Sequence, residues 1–137
     1  MTESIDPQKI KESFLGKELD SSEISKLQSL LTVHSLTDGD VLAEEGNADR
    51  RLYLLAGGRI EVLSRQHGEL EHVYLMSPGE FAGTRAFVDS VPRQATLRAR
   101  GDAVVYGLEP DDLEQLVESQ PRLVYKVMRA LFRITHV

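Results

Sequence analysis

Two arginines, a glycine and a threonine fall within one short stretch of this 137-residue chain: Gly83, Thr84, Arg85 and Arg93. Their chemistry is that of anion reception. A guanidinium carries a permanent charge and a rigid set of donors that match phosphate or carboxylate oxygens. A glycine lets the backbone come close to a ligand. A short helix opening near Thr84 would aim unpaired N–H groups at the same anion. Plainer readings stand beside these: a surface salt bridge for Arg93, solvent for Arg85 and a helix cap for Thr84.

Other chemistry has weaker support. The histidines are His34, His67, His72 and His136. His67 and His72 are an odd number of residues apart, which puts them on opposite faces of a strand. No His-x-His pair, Gly-rich phosphate loop, Gly-x-Ser-x-Gly elbow or His-Glu-x-x-His helix occurs. Cysteine is absent, which removes thiolate metal sites and disulfides. Asp111 and Asp112 read as helix N-terminal charge. The expectation is a binding protein, not an enzyme, with no metal and no cofactor. A net charge of −6 argues against a surface for nucleic acid. No run of apolar residues is long enough for a membrane span, and the acidic start lacks a secretory pattern, so a cytoplasmic place is expected.

Several elements must position the arginines. Pro7 opens a short helix over 6–15, which Gly16 breaks. Asp20 and Glu23 form a capping box for a helix over 21–31, with Ile24, Leu27, Leu30 and Leu31 on one face. From residue 34 to 109 the texture changes. Turn residues such as Asp38-Gly39-Asp40, Gly57-Gly58 and Ser77-Pro78-Gly79 separate short runs. Strands are predicted at Val41–Glu44, Leu52–Ala56, Arg59–Arg65, Leu70–Met76, Ala95–Arg100 and Ala103–Leu108. Ile60 and Val62 alternate with Glu61, and Ala95, Leu97 and Ala99 with Thr96, Arg98 and Arg100, as in half-buried strands. Residues 110–137 turn helical again. Pro121 opens a last helix with Leu123, Val124, Val127, Leu131 and Ile134 as its stripe, which either packs on its own barrel or pairs with a second copy. The stripe runs on to Val137, which favours the second copy. Arg122, Lys126, Arg129 and Arg133 then face solvent.

Two blocks of sequence carry a family resemblance. Asp38-Gly39-Asp40 through Glu45-Gly46, Leu52-Tyr53 and Gly58-Arg59-Ile60-Glu61-Val62 resembles the opening of a cyclic-nucleotide-binding domain. Gly79-Glu80-Phe81-Ala82-Gly83-Thr84 through Pro92-Arg93-Gln94-Ala95-Thr96 resembles the phosphate-binding cassette of that family. The resemblance covers residues 14–134 and implies a mainly β fold: a double-stranded β-helix, or jelly-roll barrel, over 34–109. N-terminal helices lie within 1–33, the cassette over 79–96 and two C-terminal helices over 110–137, all one domain.

The resemblance implies a ligand site of Ala82, Gly83, Thr84, Arg85, Arg93 and Gln94, with Arg93 on the phosphate of cAMP or a related anionic nucleotide. Thr84 stands where the family has a glutamate that accepts from the ribose 2′-hydroxyl. Losing a charged acceptor worth roughly 1.5–3 kcal/mol weakens cAMP or cGMP binding by about ten- to a hundredfold. Arg85 replaces a common apolar residue, and Gln94 a small one. Two arginines without a carboxylate suit a more anionic ligand. The chain ends after the last helix, which leaves no room for a helix-turn-helix, so the expected role is a stand-alone sensor with a downstream protein partner and a homodimer through 121–137. The alternative is an interaction module that kept the fold and lost the ligand. An enzyme on a cupin-like barrel is the remote third.

Overall fold

The computed structural model describes residues 4–65 and 68–135, with side chains through Arg133. His67, His136 and Val137, and the side chain of Ile134, lie outside what it describes.

Two helices open the chain. Asp6 caps α1 (Pro7–Glu12), accepting from the Gln8 N–H. The helix is shorter than its sequence suggests because the Ser13 hydroxyl takes the Ile10 carbonyl. Gly16 then folds back so closely that a Cβ there would sit 2.1 Å from the Ile10 oxygen. The expected capping box closes both ways on α2 (Ser21–Gln28), between Asp20 and Glu23.

Eight strands follow: β1 (Thr32–Leu36), β2 (Val41–Ala43), β3 (Leu52–Gly57), β4 (Ile60–Ser64), β5 (Glu71–Met76), β6 (Phe81–Ala82), β7 (Thr96–Ala99) and β8 (Ala103–Leu108). The helix α3 (Thr84–Asp89) lies between β6 and β7, and α4 (Pro110–Glu114) and α5 (Pro121–Thr135) close the chain. The strands make two antiparallel four-stranded sheets, in the orders β1-β8-β3-β6 and β2-β7-β4-β5. This is the jelly-roll architecture with flanking helices. Strands β1 and β6 were not foreseen, being short and without clean alternation. The alternation in β4 fails at its end: Leu63 is buried, and beside it the pairing with β5 skips Val73 while the pairing with β7 runs on unbroken.

Strand β3 is buried on both faces, which is why Leu52-Tyr53-Leu54-Leu55-Ala56 is a continuous apolar run. Leu52, Leu54 and Ala56 pack against the helices. Tyr53 and Leu55 face the second sheet.

The C-terminal helix corrects one expectation. Leu123, Val127 and Leu131 are buried in the chain's own core with Ile10, Leu15 and Leu19, so that stripe is not available to a second copy. A different apolar face is exposed: Tyr125 at 61%, Met128 at 37% and Phe132 at 64%. The basic residues are not simply solvated either. Lys126 reaches Glu23 at 2.7 Å, Arg129 reaches Glu18 at 2.7 Å, and Arg133 also pairs with Glu18. These pairs tie α5 to the N-terminal helices.

Candidate functional site

The stretch from Gly79 to Thr96 is built onto β3. Gly79, at φ 97°, donates to the Leu55 carbonyl at 2.8 Å, and Leu55 donates to the Glu80 carbonyl at 2.9 Å. Phe81 and Ala82 then pair with Leu54 and Tyr53. At Gly83 the backbone takes φ 96° and α3 begins. A Cβ there would lie 2.2 Å from Arg93 Nη1 and 2.9 Å from the Arg51 carbonyl oxygen. Only glycine lets the helix start lie against the guanidinium. Thr84 does not cap α3: Gly83 holds the cap position, and no side chain closes it. At the far end Ser90 takes φ 60°, and Arg50 donates to the carbonyls of Ala86 at 3.3 Å and Phe87 at 3.2 Å.

Arg93 is held by backbone and side chain. Its N–H donates to the Asn47 carbonyl at 2.8 Å and its carbonyl accepts from Gly46 at 2.7 Å. Its side chain is 3% exposed. Nη2 donates to Asp49 Oδ2 at 2.8 Å and to the Arg51 carbonyl at 2.6 Å. The guanidinium stacks 4.9 Å over the Tyr53 ring, a cation–π contact. The Tyr53 hydroxyl donates to the same Asp49 oxygen at 2.5 Å. Arg93 is therefore neither a surface salt bridge nor a free cation but one half of a buried ion pair.

This pairing changes what Arg93 can offer. The two forks of a guanidinium, Nε with Nη2 and Nη1 with Nη2, share Nη2. Nη2 already serves Asp49 and Arg51, so neither fork is free for a bidentate contact in this conformation. Nε and Nη1 are buried without a hydrogen-bond partner among the described residues. A buried donor left unpaired costs free energy, so each is unsatisfied in this conformation and would have to be uncovered to take an acceptor.

Burial alone would raise the Asp49 carboxyl. Hydrogen bonds from Tyr53, Arg93 and the Arg51 N–H, with the Arg93 charge, outweigh it and hold the group below the usual carboxylate range. Burial and the bond to Asp49 push Tyr53 up to about 12.

In front of Arg93 lies a cavity of about 260 Å³. All six residues singled out in the sequence line it: Ala82, Gly83, Thr84, Arg85, Arg93 and Gln94, with Val62, Phe81, Ala86, Ala95 and Leu97 completing the wall. Its volume falls just below the usual range of ligand pockets, roughly 300–1,000 Å³. Gln94 is exposed and does not fill the cavity. Arg85 is largely exposed and pairs with Asp89 at 3.6 Å. A second hollow of about 360 Å³, lined by Phe14, Tyr74 and Met76, shares Val62, Phe81 and Ala82 with the first. The two described histidines lie elsewhere: His72 on Glu61 at 3.1 Å, and His34, partly buried, edge-on to Tyr53.

The sequence reading missed Asp49, Arg50 and Arg51. These three consecutive residues at the entrance to β3 orient Arg93, hold the end of α3 and supply a carbonyl. Asp49 lies 44 residues from Arg93, and no local pattern links them.

Residues 33–120 match the family model described as the cyclic nucleotide-binding domain. The chain belongs to the cyclic nucleotide-binding domain family. Over 108 residues it is 32% identical to a cAMP-dependent protein kinase regulatory subunit from Yarrowia lipolytica, a match spanning 79% of this chain and 28% of that protein. Over 112 residues it is 28% identical to patatin-like phospholipase domain-containing protein 6 from Homo sapiens, spanning 80% of this chain and 8% of that protein. The chain thus spans less than a third of the length of these curated relatives. Among solved structures, a cyclic nucleotide-binding domain from Methylobacillus flagellatus superposes with a TM-score of 0.87 at 22% identity, covering 93% of this chain and 74% of that one. At that identity the likeness shows the fold. No helix among the described residues is long and apolar enough to cross a membrane.

Proposed function

We propose that this domain is a regulatory module of the cytoplasm that binds a cyclic nucleotide, or a related anionic nucleotide, in the cavity before Arg93. The observation that carries the reading is the buried guanidinium with Nε and Nη1 unpartnered beside a cavity lined by the glycine-led start of α3. The phosphate takes the open donors of Arg93, while Ala82 and Gly83 give it close approach. A relative named as a cAMP-dependent kinase regulatory subunit supports the ligand class. The role is binding, not catalysis. Occupancy shifts a pre-existing equilibrium of the cassette and the helices packed on it, and a protein partner reads that shift.

Calorimetry and thermal shift with cAMP, cGMP and cyclic dinucleotides test this. Ligand at a hundred times its Kd stabilises the fold by about 2.7 kcal/mol. No heat and no shift at millimolar ligand refutes the proposal.

A second reading has one observation in its favour: Thr84 leaves the cavity without a carboxylate. On that reading the domain is an interaction module without a ligand, and a partner captured equally by the parent and by Arg93→Ala would favour it. In either reading a second copy docks through Tyr125, Met128 and Phe132, not through the buried stripe. Sedimentation of the parent against Tyr125→Asp checks this, and a monomeric parent rules it out.

A further inference from the structure

We infer that this cavity reads its ligand by charge and leaves the sugar hydroxyls unread, so that it takes ribose and deoxyribose phosphate esters alike. The inference rests on the proposed binding at this cavity and names the ligand class it accepts.

The lining contains two arginines and no carboxylate. Asp49 is not among the lining residues, and its carboxylate already accepts from Tyr53, Arg93 and the Arg51 N–H. The only lining side chains left to accept from a ligand hydroxyl are those of Thr84 and Gln94. Both are neutral, and Gln94 is exposed to water. Thr84 makes no hydrogen bond among the described residues that would fix its hydroxyl toward the cavity. A neutral hydrogen bond exchanged for one with water selects weakly, whereas a charged acceptor selects strongly. A site rejects an analogue lacking a hydroxyl only when its own buried polar groups are then left unpaired. At this site the buried polar groups without a partner are Nε and Nη1 of Arg93, a residue of the cavity wall, and an anionic oxygen would satisfy them. The remaining wall, with Val62, Phe81 and Leu97, offers apolar contact to whatever carries the charge.

The test is calorimetry on the intact chain with cAMP, 2′-deoxy-cAMP and uncharged adenosine. The expected result is Kd values for the two phosphates within about threefold of one another, the size of a weak neutral bond, and no heat from adenosine. Thr84→Glu puts a carboxylate in the first turn of α3, where the helix dipole favours it. It is expected to improve cAMP over 2′-deoxy-cAMP by about tenfold or more. A parent that already prefers cAMP by more than about tenfold overturns the inference while leaving the proposed function standing. So does a Thr84→Glu variant whose ratio is unchanged. Binding of neither phosphate overturns the inference, and overturns the proposed function too when cGMP and the cyclic dinucleotides also give no heat.

Discussion

Replacing Asp49 with alanine strands a guanidinium whose side chain is 3% exposed, beside a carboxylate position that is 25% exposed. The charge-assisted bond from Arg93 is worth roughly 1.5–3 kcal/mol, and the bonds from the Tyr53 hydroxyl and the Arg51 N–H about 1 kcal/mol each. Breaking a buried pair by removing one partner costs roughly 3–5 kcal/mol. Water can reach the Asp49 side of this pair, which places the expected loss at about 3–4 kcal/mol, the lower part of that range. For a chain of this length each kcal/mol lowers Tm by roughly 3–5 °C, so Asp49→Ala should melt about 9–20 °C early. Urea titration and calorimetry measure it. The double variant Asp49→Ala with Arg93→Met removes the stranded charge and fills its space with an apolar side chain, so it should regain about half of the loss or more. A single variant within about 1 kcal/mol of the parent, or a double variant less stable than the single, would refute the reasoning.

Gly83→Ala must adopt a left-handed backbone and push against Arg93 and the Arg51 carbonyl. It should cost about 1–3 kcal/mol in urea melts and abolish nucleotide binding. Tyr53 ionises near 12 in the fold and near its ordinary value of 10 when unfolded. Its contribution is therefore intact below pH 10 and is lost as pH climbs toward 12. A tyrosinate absorbance titration should show a late step that Tyr53→Phe removes. Asp49 shifts the other way, so its stabilisation is present above the unfolded carboxylate value and is lost as pH falls through the lower folded one. The stability gap between the parent and Asp49→Asn should therefore close in acid.

The layout was legible because its signals are local. The Asp20–Glu23 box, the turn glycines and the alternation along Leu97 and Ala99 each act within a few residues, and the structure follows them. The two blocks around Leu52-Tyr53 and Gly83–Arg93 identified the family. What the sequence hid depends on distance or on three-dimensional layering. Asp49 meets Arg93 across 44 residues, and Lys126 meets Glu23 across 103. Neither pairing leaves a local trace. On α5 two apolar faces compete, and both Leu123–Val127–Leu131 and Tyr125–Met128–Phe132 have helical spacing. Periodicity finds both but cannot say which one the rest of the chain covers. The register shift beside Val62 and Leu63, where β5 carries Val73 as an extra residue, is not signalled by the residue types.

Ile10, Leu15, Leu19, Ile24 and Leu27 all precede residue 33, where the family match begins, yet they cover the helix-facing side of β3. The recognisable signature is thus smaller than the unit that folds. A version trimmed to the signature would uncover Leu52 and Leu54 and lose the bond from the Phe14 N–H to the Gly79 carbonyl, leaving the doorway of the cavity unsupported from outside. Boundaries drawn at residues 33 and 120 would cut this protein through its own core.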